Sequence, residues 1–367
     1  MINPLKFFNL LKKKNVDNFI GVPDSVLKNF LSIIPIKKNF VSNNEGSAVA
    51  HGIGYYLATK KIPLIYLQNS GLGNAINPLI SIAHEKVYSV PLLLLIGWRG
   101  HPSIKDEPQH QAQGNVTLSF LKLLGIKYVI INNDKELKKV IKIINFSKKY
   151  KKPVAILIKN NSIQKKQSFK KKKKELKMKK INFLEILLKN IKKEDKLIST
   201  TGFTSRELFQ LRKTKNMTKG KDFYMIGGMG HASNVGLGVS LYVRNNVIVL
   251  DGDGSMLMHL GGLVNCGVKS KKNFKYLLLN NSTHESVGSQ KTLIDQINLK
   301  LLSKSLGFAK YIELRKERDI IKKLNSFLQT DKKTFMNVKI KEGSILGLTR
   351  PKNFKIIKEK FMKNEKN

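Results

Sequence analysis

The stretch VIVLDGDGSMLM, residues 247–258, decides the fold class, because an apolar run ends there on two acids and two glycines. Such a run, bounded by a turn, predicts a buried strand that leads into a helix. Burying a carboxylate costs free energy unless a cation lies against it. Asp251 and Asp253 therefore predict a cationic partner at the end of this strand.

The rest of the chain repeats the pattern in two halves. Apolar runs of strand length alternate with stretches of helix length, which indicates parallel sheets covered on both faces. The runs are NFIGV, NFVS, PLIYLQ, VPLLLLIG, KYVII and PVAILIK in the first half, and KLIST, DFYMIG, NVIVLDG, FKYLLLN, FAKYIEL and TFMNVKI in the second. We therefore predict an α/β protein with two doubly wound parallel-sheet domains.

A lysine-rich segment, NNSIQKKQSFKKKKKELKMKK at residues 160–180, separates the halves. A charge run without an apolar period over most of its length is typical of a solvated linker. The predicted boundary lies near residue 170, with a first domain over residues 1–165, a linker over residues 166–180 and a second domain over residues 181–367.

The formal net charge of +43 suggests a nucleic-acid partner, since basic side chains neutralise phosphates. However, only seven of the 68 basic residues are arginines, whose forked donors recognise phosphates and base edges best. The lysines are spread over almost every segment. We therefore expect a solvated basic surface and no specific nucleic-acid partner.

Other features of the composition concern the cellular compartment. The chain has no apolar run of 18 residues, and residues 1–15 have the pattern of an amphipathic helix rather than of a signal peptide. The single cysteine, Cys266, excludes an intrachain disulfide and fits a reducing compartment. We expect a cytoplasmic protein without a membrane partner.

Small and polar residues follow the predicted strands, at the sheet edge where open parallel sheets bind ligands. One such turn holds Asp253, and the next long strand ends on Asn280 and Asn281. Neighbouring parallel strands would place these side chains together, as an oxygen donor set that suits Mg²⁺ and a diphosphate. Taken alone, GDG favours a plain strand–turn–helix in which Asp251 or Asp253 caps the helix, and the paired asparagines change this preference.

The GDG and NN motifs, separated by roughly two dozen residues, resemble those of the thiamine diphosphate enzymes. Further segments resemble the phosphonopyruvate decarboxylase family in particular: GVPDS, NNEGSAVAHGIGYYLAT, YLQNSGLGNAINPL, LLLIGWRG, KDEPQHQAQG, TTGFTSREL and LLLNNSTHESVGSQKT. The resemblance implies thiamine diphosphate and Mg²⁺ as cofactors, a pyrimidine-binding first domain and a diphosphate-binding second domain. It also implies that no middle domain separates them.

The resemblance assigns roles to the cofactor-binding residues. Glu45 matches the glutamate that hydrogen-bonds the aminopyrimidine ring, and Met229, beside Gly228, matches the apolar residue that supports the bent cofactor. Without the resemblance, Glu45 would be an acid in a first helical turn and Met229 a core residue. The other implied positions are Gly252, Gly254 and Ser255 near the diphosphate, and Asp253, Asn281 and the carbonyl of Thr283 at the metal.

For the substrate, the resemblance implies that Asp24 or His110 protonates the reacting carbon. Asp24 is also placed to cap a helix, and a single histidine is often structural. A phosphonate needs cationic or amide partners. The candidates are Arg99 and Lys105 first, then Gln113, Lys291 and Arg350.

The implied activity is decarboxylation of 3-phosphonopyruvate, a small anionic 2-oxo acid, to phosphonoacetaldehyde and CO2 in phosphonate biosynthesis. Sulfopyruvate decarboxylase and a noncatalytic basic binding protein on the same fold remain alternatives. Since Glu45 and Asp253 belong to different domains but must contact one cofactor, we expect a homo-oligomer with active sites at chain interfaces.

Overall fold

The computed structural model describes residues 1–165, 178–345 and 347–363. Most of the predicted linker, residues 166–177, lies outside the described residues. The described chain divides into two compact units. The first comprises residues 1–165 with 287–290, and the second comprises residues 178–286 and the described residues from 291 onward.

The first unit contains six strands and six α-helices among its described residues. The strands are β1 (Phe19–Gly21), β2 (Asn39–Val41), β3 (Leu64–Gln68), β4 (Leu93–Trp98), β5 (Lys127–Ile131) and β6 (Val154–Lys159). The helices are α1 (Pro4–Lys13), α2 (Lys28–Leu31), α3 (Glu45–Thr59), α4 (Leu72–Pro78), α5 (Pro108–Leu123) and α6 (Leu137–Tyr150).

The later part of the chain contains the remaining elements. The helices are α7 (Lys180–Asn190), α8 (Phe203–Thr214), α9 (Ala232–Ser240), α10 (Asp253–Met258), α11 (Gly262–Lys269), α12 (Leu299–Ser305), α13 (Ile320–Leu328) and α14 (Phe354–Met362). The strands are β7 (Lys196–Ser199), β8 (Lys221–Tyr224), β9 (Val247–Gly252), β10 (Phe274–Asn280), β11 (Thr283–His284), β12 (Gln290–Lys291), β13 (Lys310–Leu314) and β14 (Thr334–Lys339).

Each unit is built on a six-stranded sheet, which confirms the predicted fold class. The strand order is β2-β1-β3-β4-β6-β5 in the first and β13-β14-β10-β9-β7-β8 in the second. Every neighbouring pair in both sheets is parallel. Parallel strands need crossover connections, and helices supply them on both faces.

Burial on both faces explains why the central strands are continuous apolar runs. All seven residues of β10 are buried. Leu277 and Leu279 pack into one hydrophobic core of the second unit, whereas Tyr276 and Leu278 pack into another. Because side chains alternate along a strand, these two cores cover opposite faces of the sheet. The first unit has the same arrangement, with Leu93 in one core and Leu94 in the other.

The N-terminal amphipathic helix is present as α1. The Asn3 side chain caps it, Pro4 occupies its first turn, and Phe7 and Leu11 are buried. Asparagine at the cap and proline at the first position are both favourable at a helix start. Within the described part of the chain, no helix is both long enough and apolar enough to cross a membrane.

Candidate active site

The turn after β9 buries the second acid of the DGDG motif. Asp253 begins α10 and accepts a hydrogen bond from the Thr292 hydroxyl at 2.8 Å. Burial raises the pKa of Asp253 to about 6, although the Thr292 bond opposes the shift. Asp253 forms no ion pair with any residue that the structure describes. This carboxylate would therefore gain stability from a bound cation.

Strand β10 ends beside β9, with Leu279 opposite Gly252. The two asparagines that follow point to different partners. Asn280 is buried and its amide donates to the Asn337 side chain of β14 at 3.3 Å. The carbonyl oxygen of the Asn281 side chain accepts from the Thr283 backbone at 3.1 Å. Asn281 is thus the better candidate for a ligand.

The donor set fits Mg²⁺ on chemical grounds. A carboxylate from Asp253, an amide oxygen from Asn281 and a carbonyl from Thr283 are all hard oxygen donors. The Thr283 hydroxyl is buried without a hydrogen-bond partner. Within the described ranges, no group of three His, Cys, Asp or Glu side chains could hold a metal. The described residues therefore contain no zinc-type site. The donor set of Asp253, Asn281 and Thr283 instead suits a metal whose other ligands are oxygens of a bound molecule or of water.

The two glycines of the motif differ in their surroundings. A Cβ on Gly252 would meet nothing within 4 Å, so this turn leaves room for a ligand to approach the backbone. A Cβ on Gly254 would lie 2.6 Å from the His284 ring. Gly254 is therefore required for packing against His284. Helix α10 begins at Asp253, as expected for a strand that leads directly into a helix.

The loop between β8 and α9 carries Met229. Gly228 and Gly230 flank it with φ values of 65° and 87°, in the left-handed region that favours glycine. Met229 is half-buried. The Gly230 amide donates to the Ser255 hydroxyl oxygen at 3.0 Å, which ties this loop to the DGDG turn.

In the first unit, Glu45 is the first residue of α3, and the preceding Asn44 side chain caps the helix. The Glu45 carboxylate is buried and accepts from the Asn74 amide at 2.8 Å. Burial raises its pKa above the ordinary value, and the Asn74 bond partly opposes this. A Cβ on Gly71 would lie 2.2 Å from the carboxylate, so the SGLGN segment is shaped around Glu45.

Asp24 follows β1 and is buried. One carboxylate oxygen accepts from the backbone amides of Val26 and Leu27 at 3.0 and 3.1 Å, so Asp24 caps this turn. The other oxygen is buried and has no hydrogen-bond partner. Burial raises the pKa of Asp24 to about 6, against the lowering by the charge of Arg99. Asp24 thus caps the turn with one carboxylate oxygen, and its other oxygen is available for a further contact.

Arg99 follows β4 and forms a two-pronged ion pair with Asp106, with N···O distances of 2.7 and 2.5 Å. Its remaining nitrogen donates to the Ser25 hydroxyl at 3.2 Å. The charge of Arg99 is therefore compensated within the first unit. The sequence did not indicate this, because Asp106 lies in a loop without a periodic pattern.

The other substrate candidates occupy different positions. His110 is half-buried in α5. Burial raises the pKa of Asp106, but the bond to Arg99 and the charge of Arg99, with a smaller effect of His110, bring this pKa below its ordinary value. Gln113 lies on the same helix and is also half-buried. Lys105 and Lys291 are exposed. In the first unit the charge of Arg99 thus acts on both Asp24 and Asp106, and His110 acts on Asp106, whereas Lys105 is exposed.

Comparison with known proteins identifies two domains of one enzyme family in this chain. The family model for the N-terminal TPP binding domain of thiamine pyrophosphate enzymes matches residues 6–122, and the model for the C-terminal TPP binding domain matches residues 200–338. Phosphonopyruvate decarboxylase of Streptomyces viridochromogenes is 32% identical over 357 residues, covering 92% of this chain and 88% of that protein. The chain belongs to the phosphonopyruvate decarboxylase family.

Sulfopyruvate decarboxylases are also similar to this decarboxylase. The enzyme of Methanosarcina acetivorans is 26% identical over 370 residues, covering 94% of this chain and 93% of its own. The alpha subunit from Methanocaldococcus jannaschii is 34% identical over 164 residues, covering 43% of this chain and 93% of that subunit. The chain is thus a thiamine diphosphate-dependent carboxy-lyase of the phosphonopyruvate or sulfopyruvate type, and the noncatalytic alternative is set aside.

A buried ionic cluster in this decarboxylase was not predicted. Lys180, the last residue of the predicted linker, begins α7 with only 4% of its side chain exposed. Its ammonium lies 3.4 Å from Glu207 and 3.1 Å from Glu285. Glu285 also accepts from the Asn281 amide at 3.2 Å, which fixes the orientation of the candidate metal ligand. The sequence contained no signal for this cluster, because Lys180 lies in a run of lysines.

Proposed function

We propose that this enzyme decarboxylates 3-phosphonopyruvate to phosphonoacetaldehyde and CO2, with thiamine diphosphate and Mg²⁺, in phosphonate biosynthesis of the 2-aminoethylphosphonate type. The similarity to the phosphonopyruvate decarboxylase of Streptomyces viridochromogenes, at 32% identity over 92% of the chain, carries the choice of substrate. The full-length sulfopyruvate decarboxylase has a lower identity of 26%. A single, buried cysteine fits the proposed cytoplasmic location.

When bound, thiamine diphosphate supplies the electron sink for the loss of CO2. Glu45 would hold the proton at the aminopyrimidine ring nitrogen. Asn74 donates to one of its carboxylate oxygens, which leaves the other for this contact. Burial raises the pKa of Glu45, so its carboxyl can hold or give up a proton closer to neutral pH.

The diphosphate end would be held by the second unit. Asp253, Asn281 and Thr283 provide the oxygen donors for Mg²⁺, and Gly252 leaves the space for a diphosphate beside them. Glu285 turns the amide nitrogen of Asn281 towards itself, so that the carbonyl oxygen remains for the metal. Met229 would support the bent cofactor.

The substrate would be handled by the first unit. The unpartnered oxygen of Asp24, or alternatively His110, would deliver the proton to the reacting carbon. Because Asp106 compensates the charge of Arg99, we assign the phosphonate contact to Lys105 before Arg99. Lys105 is exposed and forms no ion pair with any described residue. Gln113 and Lys291 remain further candidates.

The active enzyme would be a homo-oligomer, with each site formed by Glu45 of one chain and Asp253 of another. Support comes from the sulfopyruvate decarboxylases, which include proteins named as alpha and beta subunits as well as full-length chains. A chain that contains both domains supplies the Glu45 domain and the Asp253 domain in equal numbers.

The direct test is a decarboxylation assay. The purified protein, loaded with thiamine diphosphate and Mg²⁺, is offered phosphonopyruvate, sulfopyruvate and pyruvate in separate reactions, and aldehyde formation is followed. The proposal expects the highest kcat/KM for phosphonopyruvate. A higher value for sulfopyruvate would overturn the substrate assignment, and no turnover of any of the three would overturn the activity.

A further inference from the structure

Asn69 lies directly after β3 and is only 2% exposed. The last residues paired between β3 and β4 are Gln68 and Gly97, so Asn69 lies just beyond the ladder of backbone hydrogen bonds. A buried side-chain amide at such a position needs hydrogen-bond partners in the protein. The partners of Asn69 lie just after β4 and on α5.

The side-chain amide of Asn69 forms three hydrogen bonds to these elements. Its carbonyl oxygen accepts from the Arg99 backbone amide at 3.0 Å, and its nitrogen donates to the Arg99 backbone carbonyl at 2.9 Å. The same nitrogen donates to the Thr117 hydroxyl of α5, also at 2.9 Å. This set requires a side chain that accepts once and donates twice. Aspartate cannot donate, and serine carries a single proton, so the geometry is specific to an amide.

Helix α5 also lies directly against the start of the loop that follows β4. The Trp98 indole donates to the Gly114 backbone carbonyl at 3.1 Å. A Cβ on Gly114 would overlap the Gly100 carbonyl, and a Cβ on Gly100 would overlap the His110 carbonyl. The two backbones are therefore in contact without intervening side chains. Because close-packed interiors transmit displacements, a shift of the backbone at Gly100 would also shift α5.

The elements that this amide joins carry the residues expected to handle the substrate. Arg99 holds the loop over residues 99–107 through its two-pronged ion pair with Asp106. The Asp106 carboxylate also accepts from the Gly100 backbone amide at 3.0 Å. Lys105 lies in this loop, and His110 lies in the first turn of α5. The position of the Arg99 backbone thus sets the positions of both substrate candidates.

We propose that Asn69 is a positioning residue, which holds the loop after β4 and helix α5 so that Lys105 and His110 reach the substrate. The inference deepens the proposed function and rests on it for the roles of these two residues. Gly71, two residues after Asn69, lies against the Glu45 carboxylate. Asn69 therefore connects the substrate candidates to the segment that is shaped around Glu45.

The experiment begins with hydrogen–deuterium exchange of residues 99–107 in the full-length protein without cofactor. Asn69→Ala should raise exchange in this loop about tenfold, because the Arg99 backbone amide and carbonyl both lose their partner. At saturating thiamine diphosphate and Mg²⁺, kcat/KM for phosphonopyruvate should fall about tenfold or more, since small misplacements of substrate-handling groups are costly. Thiamine diphosphate affinity, measured by titration calorimetry, should stay unchanged, because the residues proposed for the diphosphate and the metal belong to the second unit.

Asn273→Ala is the matched control. Asn273 is a buried asparagine of the second unit, and its amide donates to the backbone carbonyls of Val243 and Asn245 at 2.9 and 3.0 Å. Its replacement should lower thermal stability as Asn69→Ala does, but leave exchange in residues 99–107 and kcat/KM unchanged. Equal losses of kcat/KM in the two variants would reduce Asn69 to a purely structural role and overturn the inference.

Thr117→Val is a milder variant that keeps both bonds between Asn69 and Arg99. It removes only the link to α5, so it should lower kcat/KM about threefold and leave exchange in residues 99–107 unchanged. An unchanged kcat/KM would overturn the role of the link to α5. The exchange measurement needs no substrate. Unchanged exchange in Asn69→Ala therefore contradicts this inference alone, whereas absence of turnover by the unmodified enzyme contradicts the proposed function.

Discussion

Some buried charged side chains of this enzyme have an ion-pair partner among the described residues, and others have none. Arg99 and Asp106 compensate each other, whereas Asp24, Glu45 and Asp253 are buried carboxylates whose pKa values burial raises. Such perturbed groups cluster at functional sites more often than elsewhere. The sequence singled out Glu45 and Asp253 through the resemblance of their motifs; Asp253 follows β9 directly, and Glu45 begins α3 after the short turn that follows β2.

Glu45→Gln should bind thiamine diphosphate with an affinity close to that of the unmodified enzyme but lose about 100-fold or more in kcat, because an amide cannot exchange a proton with the ring nitrogen. Single-turnover kinetics and calorimetric titration with the cofactor measure the two effects. Asn74→Ala is the companion variant, and it should lower kcat less because the carboxyl group remains. A kcat near the unmodified value for Glu45→Gln would remove Glu45 from the mechanism.

Asp24 gives a prediction for the dependence of stability on pH. Its pKa is raised from 3.8 to about 6, so its favourable contribution is complete below the unfolded pKa and is lost as pH rises through the folded pKa. Relative to Asp24→Asn, the native protein should lose up to about 3 kcal/mol of unfolding free energy between pH 3.5 and 7. Urea denaturation of both proteins across this range measures the difference, and parallel pH curves would contradict the assignment.

Replacing Lys105 by alanine should affect substrate binding, whereas replacing Arg99 by alanine should affect stability. Lys105→Ala should raise KM for phosphonopyruvate about tenfold at unchanged thermal stability, because an exposed charge that contacts the phosphonate contributes binding and little packing. Arg99→Ala should lower stability by about 3 kcal/mol, since it leaves Asp106 half-buried without its partner. Steady-state kinetics and thermal unfolding separate the two cases. An unchanged KM in Lys105→Ala would direct the search to Gln113 and Lys291.

At the scale of elements, the sequence predicted both sheets well, because parallel strands covered on two faces are apolar throughout. The runs FKYLLLN and NVIVLDG coincide closely with β10 and β9. The start of α7 could not be predicted in the same way. Lys180 stands in a run of lysines, and its burial against Glu207 and Glu285 depends on residues far away in the chain.

Lys180→Met should destabilise the protein by about 3 to 5 kcal/mol, because it leaves two buried glutamates without their cation. Burial and the charge of Glu285 raise the pKa of Glu207 to about 7, while Lys180 lowers it. Lys189→Met, on the same helix, is the control. Lys189 is 61% exposed and pairs with Glu185 one turn earlier, so its loss should cost less than about 0.5 kcal/mol. Urea denaturation measures the free energy of unfolding of both variants. A loss for Lys180→Met as small as that for Lys189→Met would show that the buried ion pairs of Lys180 do not stabilise the protein.

At the scale of the whole molecule, the proposed chemistry divides between two units, each with its own sheet and cores. Glu45 belongs to the first and Asp253 to the second. The sequence indicated this division through matching strand–turn patterns, whereas the expectation that two chains share one cofactor depended on the roles that the resemblance assigns to Glu45 and Asp253. The proposed homo-oligomer would place the two parts of the site at an interface between identical chains.

Subunit complementation distinguishes active sites shared between chains from active sites within one chain. Glu45→Gln and Asp253→Ala, each inactive alone, are mixed under conditions in which subunit exchange is verified with a labelled protein. Decarboxylase activity should return on mixing, because some sites receive the intact Glu45 of one chain and the intact Asp253 of another. Verified exchange without any return of activity, or sedimentation of the active enzyme as a monomer, would contradict it.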